Sequence, residues 1–224
     1  MKDERSLCLL NMNFDERVVI HTHQSAWIQS PMPGVWRKPL AREEAERGHA
    51  TSIVKYDPGA SFRAHGHPLG EEIFVLAGTF SDETGNYAAG TYFRNPPGFT
   101  HAPFSSDGCV ILVKLHQFQH EDTRRVVVNT HASAWQPGQG GLEILPLHKF
   151  EGESVALVKC PAGERFHSYR HGDGEEIFIL EGALKDKNGS YPEGTWLRGP
   201  DLSEQGLYAE SDTVAWLKTG HFPR

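Results

Sequence analysis

The feature that most constrains the fold is an internal repeat that covers nearly the whole chain. RVVIHTHQSAW (17–27) matches RVVVNTHASAW (125–135) at an offset of 108 residues. SIVKYDPGASF (52–62) matches ALVKCPAGERF (156–166) at an offset of 104 residues. Repeats of this length indicate two duplicated domains, because the units of solenoid proteins are much shorter.

The same comparison places the expected domain boundaries. The change of offset falls around AREEAERGHA (41–50), a charged segment that we interpret as a surface loop that is longer in the first repeat. The polar stretch QHEDTR has the composition of a linker between the repeats. We therefore expect an N-terminal extension (1–16), a first domain (17–120) and a second domain (121–224).

Both repeats have the pattern of short β-strands. Runs such as IVKY, EIFVLAG and CVILVKL are separated by Gly, Pro, Asn and Asp residues, which favour turns. No segment sustains the 3.6-residue apolar period of a long amphipathic helix. We expect an all-β protein of two tandem barrels of the jelly-roll kind, with little helix.

Charge and composition exclude several classes of protein. The formal net charge of -7 argues against direct binding of nucleic acid, which requires a basic surface. The apolar run Leu7–Leu10 is too short for a signal peptide or a membrane span, so we expect no membrane association. The three cysteines are far apart and form no CxxC pair, which favours a reducing, cytoplasmic location.

The first repeat has a cluster of residues that are typical metal ligands. His65 and His67 are two positions apart, so on a strand both imidazoles project from one face. A turn at Pro68–Gly70 would bring Glu71 back beside them, and His101 could add a third imidazole from another strand. Three imidazoles and one carboxylate suit one divalent transition metal such as zinc, iron, manganese or nickel.

The spacing of these residues resembles the two sequence motifs of the cupin superfamily. The pattern is Gly59-x5-His65-x-His67-x3-Glu71-x6-Gly78, followed by Gly90-x5-Pro96-x-Gly98-x2-His101. The resemblance implies two cupin-type jelly-roll barrels in tandem, a bicupin. It also implies that His65, His67, Glu71 and His101 are the metal ligands of the first barrel.

A narrower resemblance extends along nearly the whole chain. PGVWRKPL, DPGASFRAHGHPLGEEIFVLAGTF and GTYFRNPPGFTHAPF are similar to the cupin module of ChrR-type anti-sigma factors, and here the module occurs twice. That module binds metal and senses stress in proteins whose separate N-terminal zinc domain holds a sigma factor. The His-x3-Cys-x2-Cys pattern of that zinc domain is missing from this sequence.

The second repeat retains only part of the ligand set. The positions that correspond to the four ligands of the first repeat are Tyr169, His171, Glu175 and Gln205. A phenol and a carboxamide replace imidazole poorly, because the phenol must lose a proton with a pKa of about 10 and the amide is a weak donor. His167 lies two residues before Tyr169 and is an alternative ligand. We expect the second site to be vacant or weak, with one metal ion per chain.

These observations leave three functions open. The first is a metal-binding sensor or regulatory module, with a sigma factor or another regulatory protein as its partner. The second is a non-haem iron dioxygenase that acts on a small-molecule substrate, a diketone or an aromatic ketone. The third is a structural or storage bicupin without turnover.

Other residues bear on the choice among these functions, but the sequence does not decide their roles. Arg63 and Arg94 are candidates for binding an anionic substrate, and five aromatic residues near the motifs are candidates for a pocket or for the core: Phe80, Tyr92, Phe93, Phe99 and Phe104. Cys109 is interpreted as a buried free cysteine. The duplication is compatible with a monomer that replaces a dimer and with a homodimer.

Overall fold

A computed structural model of the chain describes residues 9–44, 48–167 and 174–222. Helix in this part of the chain is limited to three-residue 3₁₀ turns at Thr22–Gln24, Thr130–Ala132 and Ser203–Gln205. Among these residues no helix has the length and hydrophobicity required to cross a lipid bilayer. The expectation of an all-β fold with two jelly-roll barrels and little helix is confirmed.

The strands are short, as the spacing of the turn residues predicts. In the first half of the chain they are β1 (Val18–His21), β2 (Ile28–Gln29), β3 (Val35–Arg42), β4 (Ala50–Tyr56), β5 (His65–His67), β6 (Glu71–Asp82), β7 (Gly85–Ala88), β8 (Thr91–Asn95), β9 (Phe99–His101) and β10 (Cys109–Leu115). In the second half they are β11 (Val126–Asn129), β12 (Gln136–Pro137), β13 (Glu143–Phe150), β14 (Glu153–Cys160), β15 (Glu175–Glu181), β16 (Ala183–Asp186), β17 (Gly189–Pro192), β18 (Thr195–Gly199), β19 (Tyr208–Ala209) and β20 (Thr213–Thr219).

The strands form two compact units. The first unit contains residues 9–12 and 26–132, and its large sheet has the order β11-β8-β6-β10-β4-β3-β2, with β7 paired to β6 and a separate β5-β9 pair. The second unit contains residues 13–25 and 133–222. Its large sheet has the order β1-β18-β15-β20-β14-β13-β12, and β17-β16-β19 form a smaller sheet.

The first strand of each repeat lies in the unit formed mainly by the other repeat. Val18 is paired with Arg198 in the second unit, and Val126 is paired with Arg94 in the first. The compact units therefore include the first strand of the other repeat, and the domain bounds expected from the repeats stay a prediction. The two strands have nearly the same sequence and pair at equivalent positions, so the sequence repeat alone cannot tell which sheet each one joins.

The glycine after the ligand motif is required by a close backbone contact. Gly78 has a φ of +71°, and a β-carbon there would lie 2.1 Å from the carbonyl oxygen of Gly108. Its counterpart Gly182 has a φ of +77° and the same distance to the oxygen of Asp212. Both units need glycine because this left-handed conformation and this close approach exclude a side chain.

Candidate metal centre

The pairing of β5 with β9 brings the three histidines of the first unit together. His65 is directly opposite His101 in this antiparallel pair, and His67 follows on the same face of β5. The imidazole centroids of His65 and His67 are 4.8 Å apart, and those of His67 and His101 are 5.0 Å apart. Each ring offers one nitrogen to a common space, with all three nitrogens within 4.8 Å of one another.

Glu71 joins this cluster from the start of β6. Its Oε2 lies 3.6 Å from Nε2 of His67 and 3.5 Å from Nε2 of His101, and it accepts a hydrogen bond from Asn95 at 3.2 Å. The structure thus brings together all four residues that the sequence predicts as ligands. Their role in binding a metal stays a prediction.

Hydrogen bonds outside the cluster orient two of the rings. Nδ1 of His65 donates to the carbonyl oxygen of Arg63 at 2.8 Å, and Nδ1 of His101 donates to Oδ2 of Asp82 at 3.0 Å. In the tautomer that these hydrogen bonds favour, the proton is on Nδ1 and each Nε2 presents a lone pair to the centre. The same arrangement holds histidine ligands in characterised metal sites.

Asp82 is a functional candidate that the sequence reasoning missed. Burial opposes ionisation of this carboxyl group, but hydrogen bonds from Thr84 and His101 prevail and hold the pKa of Asp82 below its usual value. The side chain therefore remains an anionic acceptor for Nδ1 of His101. The sequence contained a signal for Asp82, because Asp186 occupies the equivalent position of the second repeat.

The donor set fits a first-row divalent ion. Burial is the main cause that lowers the pKa of His67, and it prevails over the charge of Glu71, which raises it; His101 and His65 add smaller lowering effects. A neutral imidazole is the form that binds metal. Nε2 of His67 also lies 3.0 Å from Nε2 of His101, close enough for one cation to be bound by both nitrogens.

We expect Asp82→Asn to weaken metal binding by about 10- to 100-fold, the usual effect of losing an outer partner of a ligating histidine. An amide cannot supply the negative charge that stabilises the Nδ1–H form of His101. Competition titration with a chromophoric zinc chelator measures the change. Asp186→Asn, the matched substitution in the second unit, should leave the affinity unchanged, and equal effects of the two variants would contradict the role of Asp82.

A cavity with a volume of about 80 Å³ adjoins the cluster. His65, His67 and Glu71 form part of its wall, and Tyr56 and Phe62 line it on other sides. The aromatic residues considered for the pocket lie elsewhere: Phe80 and Phe93 belong to the apolar core, and Tyr92 donates a hydrogen bond to Glu72.

The two arginines predicted as anion-binding candidates are not among the described residues that line the cavity. Arg63 is exposed. Arg94 is fully buried, lies 3.1 Å from Asp122 and 3.7 Å from Glu72, and stacks over the ring of Phe118. Arg94 is therefore part of the internal structure of the unit.

Cys109 is buried, as the sequence predicts. Burial raises the pKa of its thiol, against smaller effects of hydrogen bonds involving Ser105 and Tyr56. A thiol that remains protonated reacts slowly with oxidants, because the thiolate is the nucleophile. This environment gives Cys109 no feature of a redox-sensing cysteine.

The corresponding residues of the second unit are bonded to protein groups. The carboxylate of Glu175 accepts hydrogen bonds from the backbone N–H of Ser203 at 2.7 Å and from its hydroxyl at 2.6 Å. Gln205 lies in a 3₁₀ turn instead of a strand, and its Oε1 accepts a hydrogen bond from Arg17 at 2.7 Å. Tyr169 and His171 lie outside the described residues, and His167 is partly buried.

Arg17 makes the polar network of the second unit different from that of the first. Its guanidinium donates to Oδ2 of Asp186 at 2.6 Å. In the first unit, the equivalent oxygen of Asp82 accepts a hydrogen bond from His101 instead. A fixed cation therefore lies beside the carboxylate that would otherwise orient a ligating histidine. This arrangement supports the expectation that the second site is vacant or weak.

A family comparison matches both repeats. The profile described as "ChrR Cupin-like domain" matches residues 15–119 and again residues 123–223. No curated protein gives a significant sequence match.

Solved structures with the same fold cover nearly the whole chain. A protein from Nostoc punctiforme PCC 73102, provisionally described as a dioxygenase, is 16% identical with a TM-score of 0.73, over 92% of this chain and 82% of the other. The nickel(II) complex of the pirin YhhW from Escherichia coli is 14% identical with a TM-score of 0.68, over 91% and 98% of the two chains. Protein YlbA from E. coli is 15% identical with a TM-score of 0.68, over 95% and 94%. At these identities the likeness concerns the fold alone.

Proposed function

The chain belongs to the family of ChrR cupin-like domains in both repeats, and we propose that it is a bicupin that binds one divalent transition-metal ion in its first unit. His65, His67, His101 and Glu71 would hold the ion. The observation that carries this proposal is the convergence of three imidazole nitrogens within 4.8 Å of one another, with the Glu71 carboxylate beside them.

The residues around the cluster prepare it for a cation. Asp82 and the carbonyl oxygen of Arg63 hold two rings in the tautomer that presents Nε2 to the centre. Asn95 donates a hydrogen bond to Oε2 of Glu71, the carboxylate oxygen that lies near His67 and His101. A bound ion of this class would act as a Lewis acid toward a molecule that enters the adjacent cavity.

We infer that the bound ion serves a sensor or regulatory function, as in the ChrR-type proteins that the sequence resembles. The family match over both repeats supports this role. The environment of Cys109 favours sensing chemistry at the metal cluster over chemistry at a thiol, because burial disfavours its thiolate. A cytoplasmic location and a sigma factor or other regulatory protein as the partner are parts of the same proposal.

If this role is right, a transcriptional regulator such as a sigma factor should co-purify with the full chain from its native cells. Cross-linking followed by affinity purification and mass spectrometry measures the enrichment. The partner should be lost or reduced with the metal-free variant His101→Ala, since the metal state sets the contact. Recovery of the same partner at the same yield from both proteins would contradict a metal-dependent sensor.

The cavity favours a second candidate, a non-haem iron dioxygenase for a diketone or an aromatic ketone. Three of the four candidate ligands line this cavity, so a small molecule there would lie beside the cluster. The neighbour provisionally described as a dioxygenase has the same fold. Protein reconstituted with Fe(II) should then consume oxygen with a member of a ketone panel, and the rate should vanish in His101→Ala. Absence of oxygen uptake across the panel would favour the sensor.

A further inference from the structure

The cavity of the first unit has two arginines in its wall besides the candidate metal ligands. Arg37 and Arg42 both belong to β3 and line the same cavity as His65, His67 and Glu71. Among the described residues that line it, these are the two with permanently charged cations. The cavity is therefore bordered by a candidate metal cluster and by two guanidinium groups.

A β-bulge allows both arginines to face the cavity. They are five positions apart, and on a regular strand an odd separation places side chains on opposite faces. The register of β3 on β4 shifts between Pro39 and Ala41, so that Arg37 is opposite Val54 and Arg42 is opposite Ala50. Val54 and Ala50 both line the cavity, and residues directly opposite each other share a face of the sheet.

The second repeat keeps the bulge but not the arginines. The register of β13 on β14 shifts between Pro146 and His148, which is the equivalent place. Ile144, opposite Val158, takes the position of Arg37 and packs against the apolar core, and Lys149 takes that of Arg42 and is exposed. The arginine pair thus occurs in the repeat that has the histidine cluster and is absent from the repeat that lacks it.

The apolar core of the second unit includes residues at positions that line the cavity in the first unit. Phe166, Leu202 and Leu207 are buried members of its continuous core. The corresponding residues in the first repeat are, in the same order, Phe62, Gly98 and Pro103. Phe62 and Pro103 line the cavity. Two leucines in the core of the second unit therefore occupy positions where the first repeat has Gly98 and Pro103.

We propose that this cavity binds a small carboxylate, whose anionic group contacts Arg37 and Arg42 and whose other end lies beside His65, His67 and Glu71. The proposal rests on the proposed metal-binding function and names the class of ligand for that site. A guanidinium has five N–H donors, so it can bind a carboxylate and still keep a partner in the protein.

Size and a third donor restrict the ligand further. One water molecule requires a cavity volume of at least about 10–15 Å³, so a cavity of about 80 Å³ has room for a small organic ligand. Burial, and then the charge of Glu71, raise the pKa of Tyr56 well above its usual value, against the opposing effect of Arg37. The Tyr56 hydroxyl therefore stays protonated and can donate to a ligand oxygen.

Isothermal titration calorimetry of the full chain tests this proposal, with acetate and pyruvate as probes and the uncharged acetamide and pyruvamide as controls. We expect the acids to bind and the amides to bind at least tenfold more weakly, since hydrogen bonds between a guanidinium and a carboxylate are roughly twice as strong as those between neutral groups. Arg37→Ile, which copies the second repeat, should raise the Kd of the acids by about tenfold or more. Arg165→Ala, at an exposed arginine of the second unit, should leave it unchanged.

Metal analysis of every sample separates this proposal from the one on which it rests. If the protein binds no metal, the proposed function fails, while binding of acids that depends on Arg37 would still support the carboxylate site. If metal is bound but acids and amides bind equally, or if Arg37→Ile binds the acids like the wild type, the carboxylate proposal alone is overturned. Circular dichroism checks the fold, and Arg37→Gln replaces Arg37→Ile if that variant does not fold.

Discussion

His101→Ala should reduce the metal content of the protein from about one ion per chain to nearly none. The substitution removes a fully buried imidazole whose Nε2 lies 3.0 Å from that of His67 and 3.5 Å from the carboxylate of Glu71. It also leaves Asp82 without the ring that it orients. Loss of an outer partner alone costs about 10- to 100-fold in affinity, so we expect loss of the ligand to cost more than about 100-fold.

Elemental analysis after dialysis and a direct titration with Zn(II) measure this effect. Gln205→Ala is the matched control, because it removes the equivalent side chain of the second unit, which is hydrogen-bonded to Arg17. The control should keep about one ion per chain. Two ions per wild-type chain, or loss of the ion in the control, would contradict the assignment of the site to the first unit.

Arg94→Ala should have the largest effect on stability. The guanidinium is fully buried and lies between Glu72 and Asp122, whose side chains are also buried. Removing one partner of a buried ion pair leaves uncompensated charge and costs about 3 kcal/mol. For a protein of this length, this loss of unfolding free energy corresponds to a fall in Tm of roughly 10 °C.

Differential scanning calorimetry measures the change, and Arg63→Ala is the control because Arg63 is exposed. The control should melt within about 2 °C of the wild type, as is usual for surface substitutions. An unchanged Tm in Arg94→Ala would contradict the structural role of this residue. With that result, Arg94 would again be a candidate for binding an anionic ligand.

The repeat and the motif spacing by themselves determined much of this protein. Two duplicated domains, short strands and the four candidate ligands of the first repeat all follow from the order of residues, because strand alternation and turn chemistry are local properties. His65 and His67 share a face for this reason alone. The presence of Gln205 at the position of His101 likewise predicts that the second repeat has the vacant or weaker site.

Only the tertiary structure decided which groups meet across the sheets. The unit that each first strand joins, the contact of Asp82 with His101, and the position of Arg17 beside Asp186 depend on pairing between distant segments. The bulge in β3 brings Arg42 to the cavity, although its spacing from Arg37 on a regular strand would turn it away. The sequence determines which residues share a strand and a face, whereas long-range register and packing decide which of them form a site.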